Sequence, residues 1–470
     1  MTNDRTRWHA LYVLCGGMLM IVLDATIVNV ALPAIQEDLG FSASALPWVV
    51  NGYLITFGGL LLLAGRVGDL LGRRTVFLAG LAVFTAASLL CGLATSRGVL
   101  IAARFVQGAG GAMTSAVILG MIVSLFPEPG DLAKAIGVFG FVASGGGSVG
   151  LLAGGVVTRA LDWHWIFLVN VPIGILTALL AVRLVARDSG LGLRRGADVP
   201  GALLVTAALM LLVYTIVVPV ADDGWGASRT LVLGAVTAAL IAAFVVREAR
   251  AKTPLMPLRV FRSRTLACAG AIQMLLPAAL FGMFFLGALY LQRVLGYDAL
   301  QIGLAFLPYT VVQGTLSVRY ADRLIARLGA KRLIAIGIVP FGAGLALLTR
   351  AGADASYPRD FLPAMLLMGA GGGLSFPPIM TLAMSSAAPA DAGLVSGLVT
   401  TCAQVGGAIG LAVLATVAAT RAETLTTHGA PATQALTDGY HLAFGVGVGL
   451  LVAAMVITLA VLQPAPPPAR

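Results

Sequence analysis

Charge is scarce in this sequence. Only 11% of its 470 residues are Asp, Glu, Lys or Arg, less than half the roughly 25% of a soluble domain. Hydrophobic residues make up 59%, and the mean hydropathy is +0.96. Such a chain cannot cover its surface against water, so its solvent is a lipid bilayer. Cysteine is scarce too. Cys15, Cys91, Cys268 and Cys402 stand singly in apolar runs, without metal-ligand spacing or a disulfide framework. They read as small buried hydrophobes. The four histidines are dispersed, and no cluster of His, Cys or carboxylate gathers at one depth. That argues against an embedded enzyme; no metal and no cofactor is expected. Alternating polar and apolar residues are lacking as well. The apolar stretches are continuous, which excludes a closed barrel and leaves an all-α integral membrane protein. The net charge of +10 comes from short basic clusters between apolar runs, so nucleic acid is not an expected partner.

Runs long enough to cross a bilayer fall at about 10–32, 46–64, 75–95, 99–121, 134–158, 164–185, 199–219, 229–247, 265–291, 301–318, 332–349, 361–384, 393–419 and 440–461. Arg5 and Arg7 before the first run resemble a signal peptide, but the run is too long and many spans follow it. It reads as the first of about fourteen spans. With the N-terminus inside, Lys and Arg favour the inner loops by about three to one. Both termini are therefore expected on the cytoplasmic side.

This assignment places every acid and base in a loop or at a helix end, except two. "LDATIVNVAL" (23–32) carries Asp24, and "RFVQGAGGAM" (104–113) carries Arg104. A carboxylate at such a position costs roughly 2.5–3.5 kcal/mol on insertion scales. Asp24 lies roughly 21 Å along the first span and Arg104 roughly 8 Å into the fourth, which runs the other way. The two can share a depth, and pairing would let the fold tolerate both. A simple staple between two helices would not need charge, because an apolar contact avoids the desolvation cost. Intramembrane ionisable residues read as functional instead.

"GRVGDLLGRR" (65–74) follows the second span. Gly65, Gly68 and Gly72 permit a tight cytoplasmic turn, Arg73 and Arg74 anchor it inside, and Asp69 is suited to a helix N-terminus. Its spacing resembles the G-x-x-x-D-x-x-G-R-[RK] signature of the major facilitator superfamily. A looser echo, "RYADRLIARLGAKR" (319–332), follows the tenth span, as an internal repeat would leave. Residues 104–113 resemble the superfamily's helix-4 motif. "GSVGLLAGG" (147–155) is similar to its antiporter motif through Gly147, Gly150, Gly154 and Gly155, with Leu151 where the motif has proline. "LDATIVNVALP" (23–33), "WHWIFLVNVPIG" (163–174) and "PLMPLRVFRSRT" (254–265) resemble the 14-helix drug:proton antiporters of the EmrB/QacA type. "GAGGA" (108–112) is not a nucleotide loop, because it lies inside a span and follows no strand.

The resemblance implies two six-helix bundles plus two inserted helices: residues 1–190, 191–250 and 251–470. It implies a monomer in a bacterial inner membrane that exports amphiphilic small molecules, such as antibiotics or biocides, against protons by alternating access. Asp24 and Arg104 are the expected proton-coupling pair. Thr26, Asn29, Asn51, Gln107, Gln273, Gln313 and Gln404 are the candidate substrate contacts, each equally able to bond helix to helix. The 65–74 turn is the expected gate. A dedicated exporter or a proton-independent facilitator of one metabolite would share the fold.

Overall fold

The structure is a computed structural model. It describes residues 4–461 except 44, 127, 189, 191, 193–197, 218, 252–253, 255–262, 353 and 386–391. The "PLMPLRVFRSRT" stretch therefore falls mostly outside the described residues, as do the surroundings of Gly147 and the side chain of Asp322. The described residues are helical throughout: α1 (Asp4–Leu39), α2 (Trp48–Leu71), α3 (Arg73–Gly92), α4 (Arg97–Leu125), α5 (Pro129–Ala160), α6 (Trp165–Leu168), α7 (Asn170–Leu184), α8 (Val199–Val217), α9 (Pro219–Asp223), α10 (Ser228–Arg250), α11 (Arg264–Arg293), α12 (Ala299–Arg319), α13 (Ala321–Leu328), α14 (Ala330–Leu348), α15 (Leu362–Ser385), α16 (Ala392–Thr427) and α17 (Ala432–Val456). Short π-helical turns precede α15 and follow α17. Every predicted span has a helix, and many extend past the apolar run. α1 begins at Asp4 and ends at Leu39 rather than at 10 and 32. Twelve helical segments among the described residues are long and apolar enough to cross a bilayer, and the bent α2 would make a thirteenth. The chain is a multi-pass membrane protein.

Contacts divide the chain into two units. One holds residues 1–41, 48–211 and 235–257; the other holds 42–47, 212–234 and 258–470. The same packing recurs inside each. In the first, α1 packs on α5 and on α6–α7, α4 packs between α2 and α3, and α3 packs on α7. In the second, α11 packs on α16 and α17, α15 packs between α12 and α14, and α14 packs on α17.

The repeat extends to single residues. Gly108, Gly110 and Gly111 of α4 press on Tyr53, Phe84 and the Tyr53 hydroxyl. Gly369, Gly371 and Gly372 of α15 press on Tyr309, Phe341 and the Tyr309 hydroxyl in the same order. Gly150 and Gly154 of α5 meet Leu23 and Ile27 as Gly406 and Gly410 of α16 meet Met274 and Ala278. Gly72 and Gly329 cap α3 and α14 with positive φ of 98° and 80°. The 319–332 echo is therefore a matching turn. The "GAGG" glycines are helix-packing residues, which lets backbones approach closely where a hydrophobic driving force between helices is absent.

A Cβ on Gly110 would lie 2.5 Å from the Phe84 backbone nitrogen, and one on Gly344 would lie 2.7 Å from the Ala364 carbonyl oxygen. Gly314 faces open space. Gly110→Ala and Gly344→Ala should each destabilise the protein by about 1–3 kcal/mol through overpacking, whereas Gly314→Ala should not. Thermal unfolding midpoints of the detergent-purified variants check this.

Candidate functional site

The close contact of α4 with α2 and α3 carries Arg104 and Gln107 inward, where short polar side chains can reach one another. Arg104 Nη1 donates to Asp24 Oδ2 at 2.6 Å, and both side chains are fully buried. Gln107 Nε2 donates to Asp24 Oδ1 at 2.7 Å and to Ser88 Oγ at 2.9 Å. Its Oε1 accepts from Arg104 Nη1 at 2.6 Å and from the Cys91 thiol at 3.6 Å. Asn170 Nδ2 makes a second bond to Asp24 Oδ1, at 2.9 Å. Arg104 Nε donates to the Val49 carbonyl at 2.8 Å. The guanidinium also lies 4.5 Å from the Tyr53 ring centroid and 5.6 Å from that of Phe167. The geometry supplies what a buried carboxylate requires: a counter-charge and hydrogen bonds to both oxygens.

Of the predicted residues, the structure brings Asp24, Arg104 and Gln107 together. Ser88, Cys91, Tyr53, Phe167 and Asn170 complete the shell and were missed. Asn170 stands in a stretch singled out only for its resemblance, and nothing in its sequence spacing points at Asp24. Thr26 and Asn29 bond to their own helix, through Val22 O at 2.9 Å and Ala25 O at 3.1 Å. Asn51 is fully buried, and both of its amide atoms lack a partner among the described residues. Gln273, Gln313 and Gln404 are half-buried in the second unit. That unit holds a half-open cavity of about 660 Å³, lined by Phe285, Leu289, Arg293, Glu423, Thr426 and Tyr440 among others. The three glutamines are not in its lining.

The pair has no counterpart in the second unit. By the register of the glycine contacts, the positions matching Asp24, Ser88, Cys91, Arg104 and Gln107 are Leu275, Leu345, Leu348, Met365 and Met368. The polar cluster is an addition to one half of a repeat, not a requirement of the helix packing.

The 65–74 turn is built differently from its sequence reading. Asp69 lies in the last turn of α2 and pairs with Arg73, at 3.2 Å to Nε and 3.0 Å to Nη2. The N-terminus of α3 is capped instead by Asp188, which accepts from the Arg73 and Arg74 amides at 2.6 and 3.1 Å. Asp69 precedes the turn and its carboxylate is taken by the Arg73 side chain, while the chain after α7 returns an acid to the exposed amides. Arg73 Nη1 reaches the Gly120 carbonyl of α4 at 2.8 Å. Arg74 donates to the Val182 carbonyl at 2.5 Å, as Lys331 does to Leu459 at 3.0 Å in the second unit. Gly72 is required here, because a Cβ would lie 2.8 Å from the Asp188 carbonyl oxygen. Gly65 and Gly68 face Ala116 and Val117 of α4. Within α5, Gly150 and Gly154 face α1, and Gly155 is buried beside them.

A model described as the Major Facilitator Superfamily matches residues 14–411. The puromycin resistance protein pur8 of Streptomyces alboniger is 40% identical, over 97% of this chain and 91% of its own length. The cephamycin export protein CmcT of Amycolatopsis lactamdurans is also 40% identical, over 98% of this chain and 93% of its own. The fold matches a crystal structure of a bacterial homologue of the human lysosomal transporter Spinster with a TM-score of 0.67, at 15% identity and 97% coverage of both chains.

Removing one member of a buried pair leaves the other uncompensated, at a cost of roughly 3–5 kcal/mol. Arg104→Met should therefore unfold at a markedly lower temperature than the wild type. The double variant Asp24→Leu/Arg104→Met, which copies Leu275 and Met365, should recover a large part of that loss. Melting of the purified variants decides it, and a double variant as unstable as the single one would show that the pair itself holds the fold.

Proposed function

Because this chain belongs to the major facilitator superfamily, a family of membrane transporters and not of enzymes, we propose that it is a proton-driven exporter of amphiphilic small molecules, working by alternating access. The observation that carries this reading is the buried Asp24–Arg104 pair confined to one half of the repeat. Proton uptake by Asp24 cancels one of two matched buried charges and leaves Arg104 uncompensated. The loaded state then favours any conformation that hydrates Arg104 or gives it another partner, and proton release restores the pair. That is a differential interaction of the kind that drives a two-state change. One proton crossing 100 mV gains about 2.3 kcal/mol, which sustains roughly a 50-fold substrate gradient.

In this reading the chain has fourteen spans, in bundles of residues 1–190 and 251–470 with an inserted pair at 191–250. It is a monomer in a bacterial inner membrane with both termini in the cytoplasm. The Asp69–Arg73–Gly120 link between α2 and α4, together with Asp188, forms the cytoplasmic gate. Thr26, Asn29, Asn51, Gln107, Gln273, Gln313 and Gln404 remain the proposed substrate contacts, with Asn51 the best placed because its amide is buried and unsatisfied. The relatives named for puromycin resistance and cephamycin export support an antibiotic as cargo. Beyond Asp24 no acid lies inside the predicted spans, which suits a neutral, zwitterionic or singly charged amphiphile over a dication.

In everted membrane vesicles, wild type should release protons when a transported antibiotic is added to an established pH gradient. Asp24→Asn, inserted to the same level, should not; full proton-coupled export by Asp24→Asn would end the assignment. Asp69→Asn should insert normally but turn over several-fold more slowly. A dication moved as fast as a monocation of equal size would overturn the cargo class.

A further inference from the structure

We propose that Asn170 is an amide switch for Asp24: it donates to the carboxylate and, after a half turn of its side chain, accepts from the protonated acid. This rests on Asp24 being the proton carrier. Asp24 Oδ1 accepts two hydrogen bonds, from Gln107 and Asn170, and Oδ2 accepts one from Arg104. A hydronium ion delivers the proton to Oδ1: one of its O–H bonds breaks, one O–H bond forms on the carboxyl oxygen, water leaves, and nothing is oxidised or reduced. The new O–H now needs an acceptor, and one of the two amide donors must turn away.

Gln107 cannot be the one that turns. Its Oε1 holds Arg104 Nη1 at 2.6 Å, and its Nε2 also holds Ser88. Rotation would set its N–H groups against the guanidinium. Asn170 is free to turn. It is fully buried, and its Oδ1 has no hydrogen-bond partner among the described residues. A buried acceptor left unsatisfied is costly, so its presence beside a carboxylate calls for a second use. The two ends of an amide are nearly isosteric, and a half turn about Cβ–Cγ exchanges Nδ2 for Oδ1 without new volume. The terminal torsion of Asn is broad rather than confined to one staggered well. The other titratable or charged groups beside Asp24 are Arg104 from α4, Tyr53 from α2 and Cys91 from α3. The Tyr53 hydroxyl lacks a partner among the described residues, and the Cys91 thiol already donates to Gln107. From α5, Gly150 faces Leu23 and Thr26 and offers no ionisable group. Asn170 thus supplies the acceptor that the protonated state needs, acting through Asp24 as a positioning residue.

Asparagine occurs only four times, as Asn3, Asn29, Asn51 and Asn170, so a carbon-13 label on the asparagine side-chain carbonyl can be assigned by subtraction. Infrared difference spectra of the protein in liposomes, taken between alkaline and acidic pH, should show two changes. A protonated carboxyl band should appear and be absent in Asp24→Asn. Over the same pH range the labelled band that is lost in Asn170→Ser should move to lower frequency, because its carbonyl gains a hydrogen bond. A fixed donor would lose a bond on protonation instead, so a shift to higher frequency, or none, overturns the switch while leaving Asp24 as the carrier. Absence of any Asp24 carboxyl band overturns the proton reading itself, so the two failures are told apart. In transport, Asn170→Ser keeps a group able to donate and accept and should retain pH-dependent export, whereas Asn170→Leu should lose about tenfold or more. If Asn170→Leu does not insert, the spectra of wild type and Asn170→Ser still decide the question.

Discussion

A buried salt bridge between Asp24 and Arg104 is the constraint around which the first half of this protein is organised. Two charges with no water access require hydrogen-bond partners from the protein, and both oxygens of Asp24 find them. Gln107 ties the acid to the base, Ser88 anchors Gln107, and Asn170 brings the last helix of the bundle to the same carboxylate. The Tyr53 and Phe167 rings cover the guanidinium with their faces, a favourable contact in a desolvated setting.

Short side chains can build such a cluster only if the helices are close. Glycine makes them so: Gly80, Gly108 and Gly110 remove the side chains that would hold α4 away from α2 and α3. The second half keeps these glycines as Gly337, Gly369 and Gly371, and fills the equivalent polar positions with leucine and methionine. The comparison separates two roles that one half alone would confuse. The glycine frame is shared by both halves, and the charge cluster set upon it belongs to the first. A buried pair whose balance a single proton changes is suited to couple protonation to conformation.

The 65–74 turn obeys similar logic. Arg73 and Arg74 do more than add positive charge to it. Each reaches a carbonyl on another helix of the bundle, Gly120 and Val182, so the turn fastens α2 and α3 to α4 and α7. Asp188 closes the amides of α3 from the far end of the bundle, and Gly72 leaves the space in which it does so.

The sequence by itself determined the solvent, the helical class and the approximate spans, because hydropathy and the positive-inside bias act locally along the chain. It also isolated Asp24 and Arg104, since a charge inside an apolar run is visible without any fold. The 65–74 turn and its echo were legible from the spacing of their glycines and charges, which resembles the superfamily signature. What the sequence left open depended on contacts between distant residues. That Asp188, and not Asp69, caps α3 follows from where the chain returns more than a hundred residues later. That Asn170 bonds Asp24 follows from the packing of α7 on α1, and an asparagine near a helix start looks the same whether it caps, packs or serves a carboxylate. Which of the polar candidates share one site was likewise settled only in three dimensions. Hydrogen-bond partners are chosen by direction and distance across helices, and no one-dimensional spacing encodes them.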